Sequence, residues 1–496
     1  MKYDIPKEII TVAGILTEAS FSAYLVGGCV RDLLMARPPK DWDITTDAKP
    51  EELLKIFPDS VYENSFGTVG VKTASEDPAL KIVEITTFRL EGKYSDKRHP
   101  DEIKFAKTLE EDLSRRDFTV NAVALPLISS PFLRGRSEVG DGIVDPHGGQ
   151  EDLKDKIIRT VGDPDARFQE DALRLLRAVR FSSQLGFKIE EKTYEAIRKN
   201  HNLLEFISAE RIRDEFSKLL MTDRAAEGLD MLRETGLIKF ILPELLEGVG
   251  VGQNKHHIYT VYEHNLKALE YSVKKGYSPE VRLASLLHDI GKPRVKRGEG
   301  PDSTFYNHEV VGSKMTLKIL DKLRFSKDQI EYVAHLVRWH MFYYNVGEVS
   351  EAGVRRFLRR IGTDCLDDIL KLREADRIGS GVPKAVPYKM RHLLFMIDKV
   401  KRDPLSAKAL KISGEDVMKE LSIEPSPRIG HLLALLLEEV IEKPELNELE
   451  VLIARLKELN KLSDAELLKL RKKAEAAKNE FEAGVEEEMK KKHFVK

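Results

Sequence analysis

At 496 residues the chain has room for three or four domains of about 150 residues each, so core size does not limit it. A third of the residues are charged, yet the net charge is only −2, so a nucleic-acid partner would have to be held by a local basic patch. Two distant cysteines, Cys29 and Cys365, exclude a disulfide framework and a cysteine zinc site, and they fit a reducing cytoplasm.

The first twenty residues lack a basic start followed by a continuous apolar core. Ile9, Ile10, Ala13 and Leu16 instead space like one face of an amphipathic helix. The longest apolar run, Leu432 to Leu437, is too short to span a bilayer. No membrane partner is expected, and the expected location is cytoplasmic.

Ser22 to Val26 reads as a strand, and Gly27 and Gly28 then let the backbone turn and approach an anion closely. Val30 to Met35 reads as a helix whose first amides would face a phosphate. Asp41 and Asp43 lead into a second strand with Ile44 and Thr45; alternate strand residues share a face, so both carboxylates can converge. Two carboxylates plus substrate phosphates suit Mg²⁺. Alone, a Gly-Gly is usually a turn and a D-x-D usually a solvated loop or strand end. In this order and spacing they point to a nucleoside triphosphate and two divalent metals.

Thr68 to Lys72 and Lys81 to Thr87 read as further strands, with Glu84 on the last, and the segment to about Leu127 reads as α/β. Phe88 to Phe105 is a charged loop containing Asp96 and Arg98, and Ser129 to Gly142 reads as another loop. In Arg115-Arg116-Asp117 the arginines suit phosphate, and the aspartate suits a ribose 2′-hydroxyl or an ion pair with a neighbouring element. From Asp165 onward the pattern is helical, with Leu173, Leu176 and Val179 marking the period. By spacing alone, Glu170, Asp171 and Arg174 are an ordinary surface cluster of i, i+3 and i, i+4 pairs. Arg174, Arg177, Arg180, Arg211 and Arg213 suit either phosphates or a solvated face.

A turn-rich break, Gly248 to Lys255, precedes a segment in which seven of the thirteen histidines fall between His256 and His340. His264, His288-Asp289 and Asp376 stand in the order H…HD…D, with His308 and His340 between them; His256, His257 and His335 have no assigned role. In the last part Leu449, Leu452, Leu456 and Leu459 keep helical spacing, and Ser463 with Glu466 offers a capping box. The segment Arg471 to Lys496 mixes both charges and reads as a solvated or frayed helix.

GGCVRDLLMARPPKDWDITT (Gly27 to Thr46), RRDFTVNAVAL (Arg115 to Leu125), DPHGGQEDLKDKIIRTVGDP (Asp145 to Pro164) and RFQEDALRLLRAVRF (Arg167 to Phe181) resemble, in order, the motifs of class II tRNA nucleotidyltransferases. That family comprises CCA-adding enzymes and bacterial poly(A) polymerases. The resemblance implies an α+β chain: an α/β head similar to DNA polymerase beta over 1–142, then all-α regions. These are a neck and body over 143–249, an HD domain over 250–381 and a tail over 382–496. It implies catalysis by Asp41 and Asp43 with Mg²⁺, and by analogy Glu84. It also implies nucleotide contacts from Gly27, Gly28, Arg31, Arg116, Asp117, Asp171, Arg174, Arg177 and Arg180. Asp171 and Arg174 would act as a protein template, because cytosine and adenine each show an amino donor beside a ring-nitrogen acceptor. The loop around Asp96 and Arg98 would switch the site from C to A.

The histidine segment resembles HD-superfamily phosphohydrolases, which implies metal ligation by His264, His288, Asp289 and Asp376, extended by His308 and His340. Mn, Fe, Co, Ni, Zn or Mg²⁺ would suit that donor set. The implied partners are tRNA, CTP and ATP, with no protein partner and a homodimer left open. Rival readings are an A-adding enzyme, a poly(A) polymerase, an alarmone synthetase/hydrolase (which places its HD domain first) and an inactive RNA-binding protein. Intact Asp41, Asp43, Asp117 and Asp171 speak against the last.

Overall fold

The computed structural model describes residues 3–62, 67–91, 103–127, 142–254, 258–342, 344–381, 386–402, 410–470 and 472. Lys7–Glu18 forms the first helix and buries Ile9, Val12, Ala13 and Leu16. That stripe lies against a mixed sheet built from β1 (Tyr24–Val26), β2 (Asp43–Thr46), β3 (Ser60–Tyr62), β4 (Thr68–Lys72) and β5 (Ile82–Thr87). The hairpin strands β6 (Arg89–Glu91) and β7 (Ile103–Phe105) follow, and β8 (Ala124–Pro126) completes the sheet in the order β3-β4-β5-β2-β1-β8. Only β2 and β5 pair in parallel within it; β1 runs antiparallel to both β2 and β8.

Leu25, Ile44, Val69, Val83 and Ile85 alternate into the core as strand periodicity requires. Each such fully buried aliphatic side chain contributes roughly 1.5–3 kcal/mol. The expected strands are present, while β3, β8 and the β6–β7 hairpin were not anticipated. β6 and β7 flank the charged loop, so Asp96 and Arg98 lie outside the described residues, as does all but the last residue of the expected loop Ser129 to Gly142. His256, His257 and the charged end beyond 472 also lie outside them.

The chain is not helical throughout after Asp165. Helix Leu173–Leu185 ends at Gly186, whose left-handed backbone (φ 73°) turns the chain back. Lys188–Ile189 can then pair in parallel with Ile157–Ile158. Helices Val261–Lys274, Pro279–Leu287, His308–Lys322 and Lys327–Trp339 follow. Thr260 and Glu263 form a capping box on the first, and Ser278 and Ser326 cap the second and fourth.

The chain forms two compact units, Met1–Met341 with Asp368–Pro383, and Phe342–Asp367 with Lys384–Lys496. The latter has its own core, including Val417, Leu432, Leu436, Val440, Leu452, Leu456 and Leu459. Leu449, at the start of its helix, is exposed. The amide of Ser463 donates to Glu466 Oε2 (2.8 Å) and the Glu466 amide donates to Ser463 Oγ (3.4 Å), so the capping box forms. Among the described residues no helix is long and apolar enough to cross a membrane.

Candidate active site and metal centre

Helix Gly28–Leu34 starts at Gly27, which has φ 76°. A Cβ at Gly27 would stand 3.4 Å from Asp43 Oδ2 and 3.3 Å from Arg116 Nη1, and one at Gly28 would stand 3.7 Å from Asp41 Oδ1. The glycine pair thus brings bare backbone against both aspartates. Asp43 opens β2, but Asp41 lies in the bend before it, so the two converge through the turn rather than by strand alternation. Glu84 on β5 is the register partner of Asp43. Burial, then the neighbouring charges of Asp41 and Glu84, push the Asp43 carboxyl up to about 6, against the pull of Arg116. Asp41 and Asp43, hard oxygen donors held side by side, fit a divalent cation such as Mg²⁺.

Gly27, Gly28, Asp41 and Asp43, but not Glu84, line a cleft of about 1170 Å³, together with Arg31, Arg116, Asp117, Arg177 and Arg180. A run of polar pairs links them. Arg31 donates to Asp32 (2.9 Å) and to Asn121 Oδ1 (3.0 Å), and Asn121 donates to Asp117 Oδ1 (3.3 Å). Arg177 Nε donates to Asp117 Oδ2 (2.7 Å). Arg180 Nε donates to Glu215 Oε2 (2.5 Å). Burial alone would raise the Asp117 carboxyl, but the Arg177 and Arg174 guanidiniums bring it down to about 2. Asp117 therefore stands in the ion pair weighed against its ribose role. Guanidiniums of Arg180, Arg177 and Arg31 lie 3.9, 5.3 and 5.5 Å from the Phe181 ring centroid. Arg116 is paired with Asp112 (3.3 Å) through Nη2, while its buried Nε has no partner.

Asp171 and Arg174 do not lie within one helix. Helix Pro164–Glu170 ends at Asp171, whose backbone is extended (φ −134°, ψ 104°), and the next helix begins at Leu173. Asp171 Oδ1 accepts from the Leu173 amide (3.0 Å), a local side-chain bond that competes with helix continuation. Asp171 Oδ2 accepts from Arg211 Nη2 (2.8 Å). Arg174 Nη1 instead donates to Glu170 Oε2 (2.6 Å), the ordinary i, i+4 pair. Neither Asp171 nor Arg174 is among the residues lining the cleft.

The cleft also draws on residues that sequence reasoning passed over: Arg37, Lys40, Asn121, Phe181, Gln184 and Lys218. Arg37 and Lys40 flank two prolines just before Asp41, a signal that could have been read as phosphate-facing cations. Phe181 carried none, since an apolar residue at helical spacing reads as core.

The histidine segment assembles a second centre. His264, His288, Asp289 and Asp376 form one buried group, and Asp289, His308 and His340 another, each with one ligand atom apiece within 4.8 Å of the others. Asp289 Oδ2 lies 3.1 Å from His264 Nε2, and its Oδ1 lies 3.3 Å from His308 Nε2. His264 and His288 approach Nε2 to Nε2 at 2.8 Å, and His308 and His340 at 3.3 Å.

Nδ1 of His288, His308 and His340 is bonded to the carbonyls of Ser285, Phe305 and Val337 (2.8, 2.7 and 2.7 Å). A ring that donates from Nδ1 turns its Nε2 lone pair inward, as metal ligation requires. Lys292 Nζ (2.5 Å) and Arg373 Nη1 (2.6 Å) balance Asp289 and Asp376. The approach is so close at Gly291 that a Cβ there would stand 2.4 Å from the His308 carbonyl oxygen. This mixed nitrogen and oxygen donor set fits one or two divalent metals.

A mixed sheet carrying paired aspartates beside a glycine turn, joined to a helical histidine–aspartate centre, defines a nucleotidyltransferase of polymerase type with an HD domain. Residues 23–159 match the poly A polymerase head domain, 186–248 the probable RNA and SrmB-binding site of polymerase A, and 261–377 the HD domain. A CCA-adding enzyme of Ligilactobacillus salivarius is 34% identical over 461 residues, 91% of this chain and 96% of that enzyme. One of Lactobacillus helveticus is 47% identical over 235 residues, so that alignment spans about half of each: 47% of this chain and 55% of that enzyme. The crystal structure of the Bacillus stearothermophilus CCA-adding enzyme in complex with CTP matches with a TM-score of 0.54 at 29% identity, covering 92% of this chain and 97% of that one. The chain belongs to the CCA-adding enzymes, the class II tRNA nucleotidyltransferases.

Proposed function

We propose that the chain builds or repairs the tRNA 3′ end by adding C, C and A from CTP and ATP without a nucleic-acid template. The observation that carries this reading is the placement of Asp41 and Asp43 against the bare backbone of Gly27 and Gly28, beside a cationic cleft, with Glu84 the strand partner of Asp43. Asp41 and Asp43, with Glu84 beside them, would hold Mg²⁺. When bound, Mg²⁺ would neutralise triphosphate charge; the tRNA 3′-hydroxyl attacks the α-phosphate and loses its proton, the bond from the α-phosphorus to the bridging oxygen breaks, and pyrophosphate leaves.

The chain's own groups do the rest. The glycine turn leaves room for the triphosphate, while Arg37, Lys40 and Arg116 oppose its charge. Asp171 accepts from the exocyclic amino group of cytosine or adenine. Uracil and guanine would place a carbonyl oxygen against that carboxylate. The helix carrying Arg211 and Arg213 would contact the RNA backbone, in the cytoplasm.

The buried histidine–aspartate centre supports a second activity, hydrolysis of phosphate esters such as 2′,3′-cyclic phosphates. His264, His288, Asp289 and Asp376 would hold one divalent metal, and His308 and His340, sharing Asp289, a second. A metal there supplies Lewis acidity toward a phosphate. Such an activity would clear damaged tRNA ends before CCA is restored. Purified protein given 2′,3′-cAMP with Mn²⁺, Ni²⁺ or Co²⁺ should hydrolyse it, and His288→Ala should not.

The test of the main activity uses tRNA lacking CCA, tRNA ending in C and tRNA ending in CC, each with a single labelled nucleotide. Addition of C to the first two and A to the third is expected. A added only to the CC end would make this an A-adding enzyme, and a long A-tail on generic RNA would make it a poly(A) polymerase.

A further inference from the structure

We infer that Asp112, a buried carboxylate outside the cleft, is the positioning residue that holds Arg116 toward the triphosphate and off the aspartates that would bind Mg²⁺. This rests on the reading of Arg116 as a guanidinium opposing triphosphate charge, and it names what fixes that guanidinium in place.

Asp112 lies in the short helix Leu109–Ser114, three and four residues before Arg115 and Arg116, so the carboxylate can reach both. Its side chain is fully buried, and it does not line the cleft. Oδ1 accepts from Arg115 Nε (2.9 Å) and from the Arg89 amide that opens β6 (3.3 Å). Oδ2 accepts from Arg116 Nη2 (3.3 Å). Burial alone would raise this carboxyl, but the Arg115 and Arg116 charges hold it below the usual carboxylate range. An exposed pair at this spacing would be an ordinary helix-surface contact. A buried carboxylate shared by two guanidiniums is instead a fixed anchor, because losing either side would leave charge uncompensated.

Arg116 spans from that anchor to the reacting site. While Nη2 is engaged by Asp112, Nη1 stands 3.3 Å from where a Cβ on Gly27 would lie, and Asp43 Oδ2 stands 3.4 Å from the same point. Guanidinium and carboxylate thus meet over one bare glycine. Among the described residues Arg116 nonetheless forms its ion pair with Asp112 and none with Asp43. Its buried Nε has no hydrogen-bond partner, and a phosphate oxygen would satisfy that donor. A forked guanidinium can keep one nitrogen on a carboxylate and offer the others to phosphate, which the single ammonium of a lysine cannot do. Without the charge of Asp112, Asp43 becomes a carboxylate within reach. Pairing there would occupy a metal ligand and withdraw the cation from the phosphates.

The test compares Asp112→Asn, Arg116→Met, their double variant and Arg116→Lys in the full-length protein, each checked by thermal unfolding. Two quantities are measured: the dissociation constant of labelled CTP in EDTA, and the Mg²⁺ concentration for half-maximal CTP addition at pH 8 to tRNA lacking CCA. Asp112→Asn should weaken CTP binding about tenfold and raise the Mg²⁺ requirement several-fold, with kcat at saturating CTP and Mg²⁺ within about threefold of the parent. Arg116→Met should weaken CTP binding by a similar factor without raising the Mg²⁺ requirement. The double variant should bind CTP no more weakly than Arg116→Met, since Asp112 acts through that residue. Arg116→Lys reads the same link if Asp112→Asn fails to fold: its ammonium should stay with Asp112 and lose CTP affinity nearly as far as Arg116→Met. A folded Asp112→Asn with parent-like CTP affinity and Mg²⁺ requirement would overturn the assignment. So would a double variant in which the two losses add in full, or Arg116→Lys binding CTP as tightly as the parent. Arg116→Met binding CTP like the parent would instead remove the underlying reading of Arg116.

Discussion

Asp43 and Glu84 face each other across the parallel pair β2–β5, Cα partner to Cα partner, with Asp41 delivered beside them by the bend that precedes β2. Asp41 and Asp43 stand where the glycine turn exposes bare backbone, and the charge of Glu84 acts on Asp43 from the neighbouring strand. Burial, and after it the charges of Asp41 and Glu84, raises the Asp43 carboxyl.

The raised Asp43 carboxyl sets a pH dependence. Below about 6 Asp43 takes up a proton, which a divalent cation must displace; above it the carboxylate is free to ligate. The Mg²⁺ concentration for half-maximal nucleotide addition should therefore rise as pH falls below 6 and level off above 7. Titrations of Mg²⁺ at several pH values measure it, and a requirement flat from pH 5 to 8 would contradict it.

Asp117 behaves in the opposite sense. Its folded-state value of about 2 lies below the ordinary 3.8, so its ion pair contributes stability above pH 4 that is lost as pH falls through about 2. Arg177→Met leaves the buried carboxylate without its main partner and should destabilise the fold by about 3–5 kcal/mol at neutral pH. The double variant Arg177→Met, Asp117→Asn should recover part of that loss. Urea unfolding of both variants gives the comparison; equal stability of Arg177→Met and the parent protein would refute the pairing.

Asp289 serves both histidine groups, which predicts a stoichiometry. The protein loaded with Mn²⁺ should retain two ions per chain, His340→Ala one, and Asp289→Ala none. Elemental analysis after desalting reads this directly. A single ion unaffected by His340→Ala would confine the centre to His264, His288, Asp289 and Asp376.

Gly291→Ala would force a methyl to within 2.4 Å of the His308 carbonyl oxygen and 2.6 Å of the Gly312 amide nitrogen, both backbone atoms that cannot swing aside. Helix His308–Lys322 must then move, at a cost of about 1–3 kcal/mol. Metal retention and phosphoesterase activity should fall while nucleotide addition is preserved. Parent-like metal content in this variant would contradict the close approach.

Much of this was legible in the sequence. Runs of Val, Ile and Thr located β2, β4 and β5, and the glycine pair with Asp41 and Asp43 pointed to residues that line the cleft. The H…HD…D order located the buried histidine–aspartate cluster, since residue type and order are what metal chemistry would constrain. What escaped was non-local or settled by side-chain competition. The Asp117–Arg177 pair joins positions sixty residues apart with nothing in the local pattern to announce it. The helix break at Asp171 depends on a carboxylate choosing the Leu173 amide, and an i, i+3 count cannot see that choice. The Arg211–Asp171 contact follows only once the two helices are packed.

The most direct measurement is the 3′-terminal sequence of tRNA lacking CCA after incubation with CTP, ATP and Mg²⁺, for the parent protein and for Asp43→Asn. The parent should add C, C and A and stop, and Asp43→Asn should be slower by about a thousandfold or more. An A-only product, a long A-tail, or Asp43→Asn working at the parent rate would contradict the account.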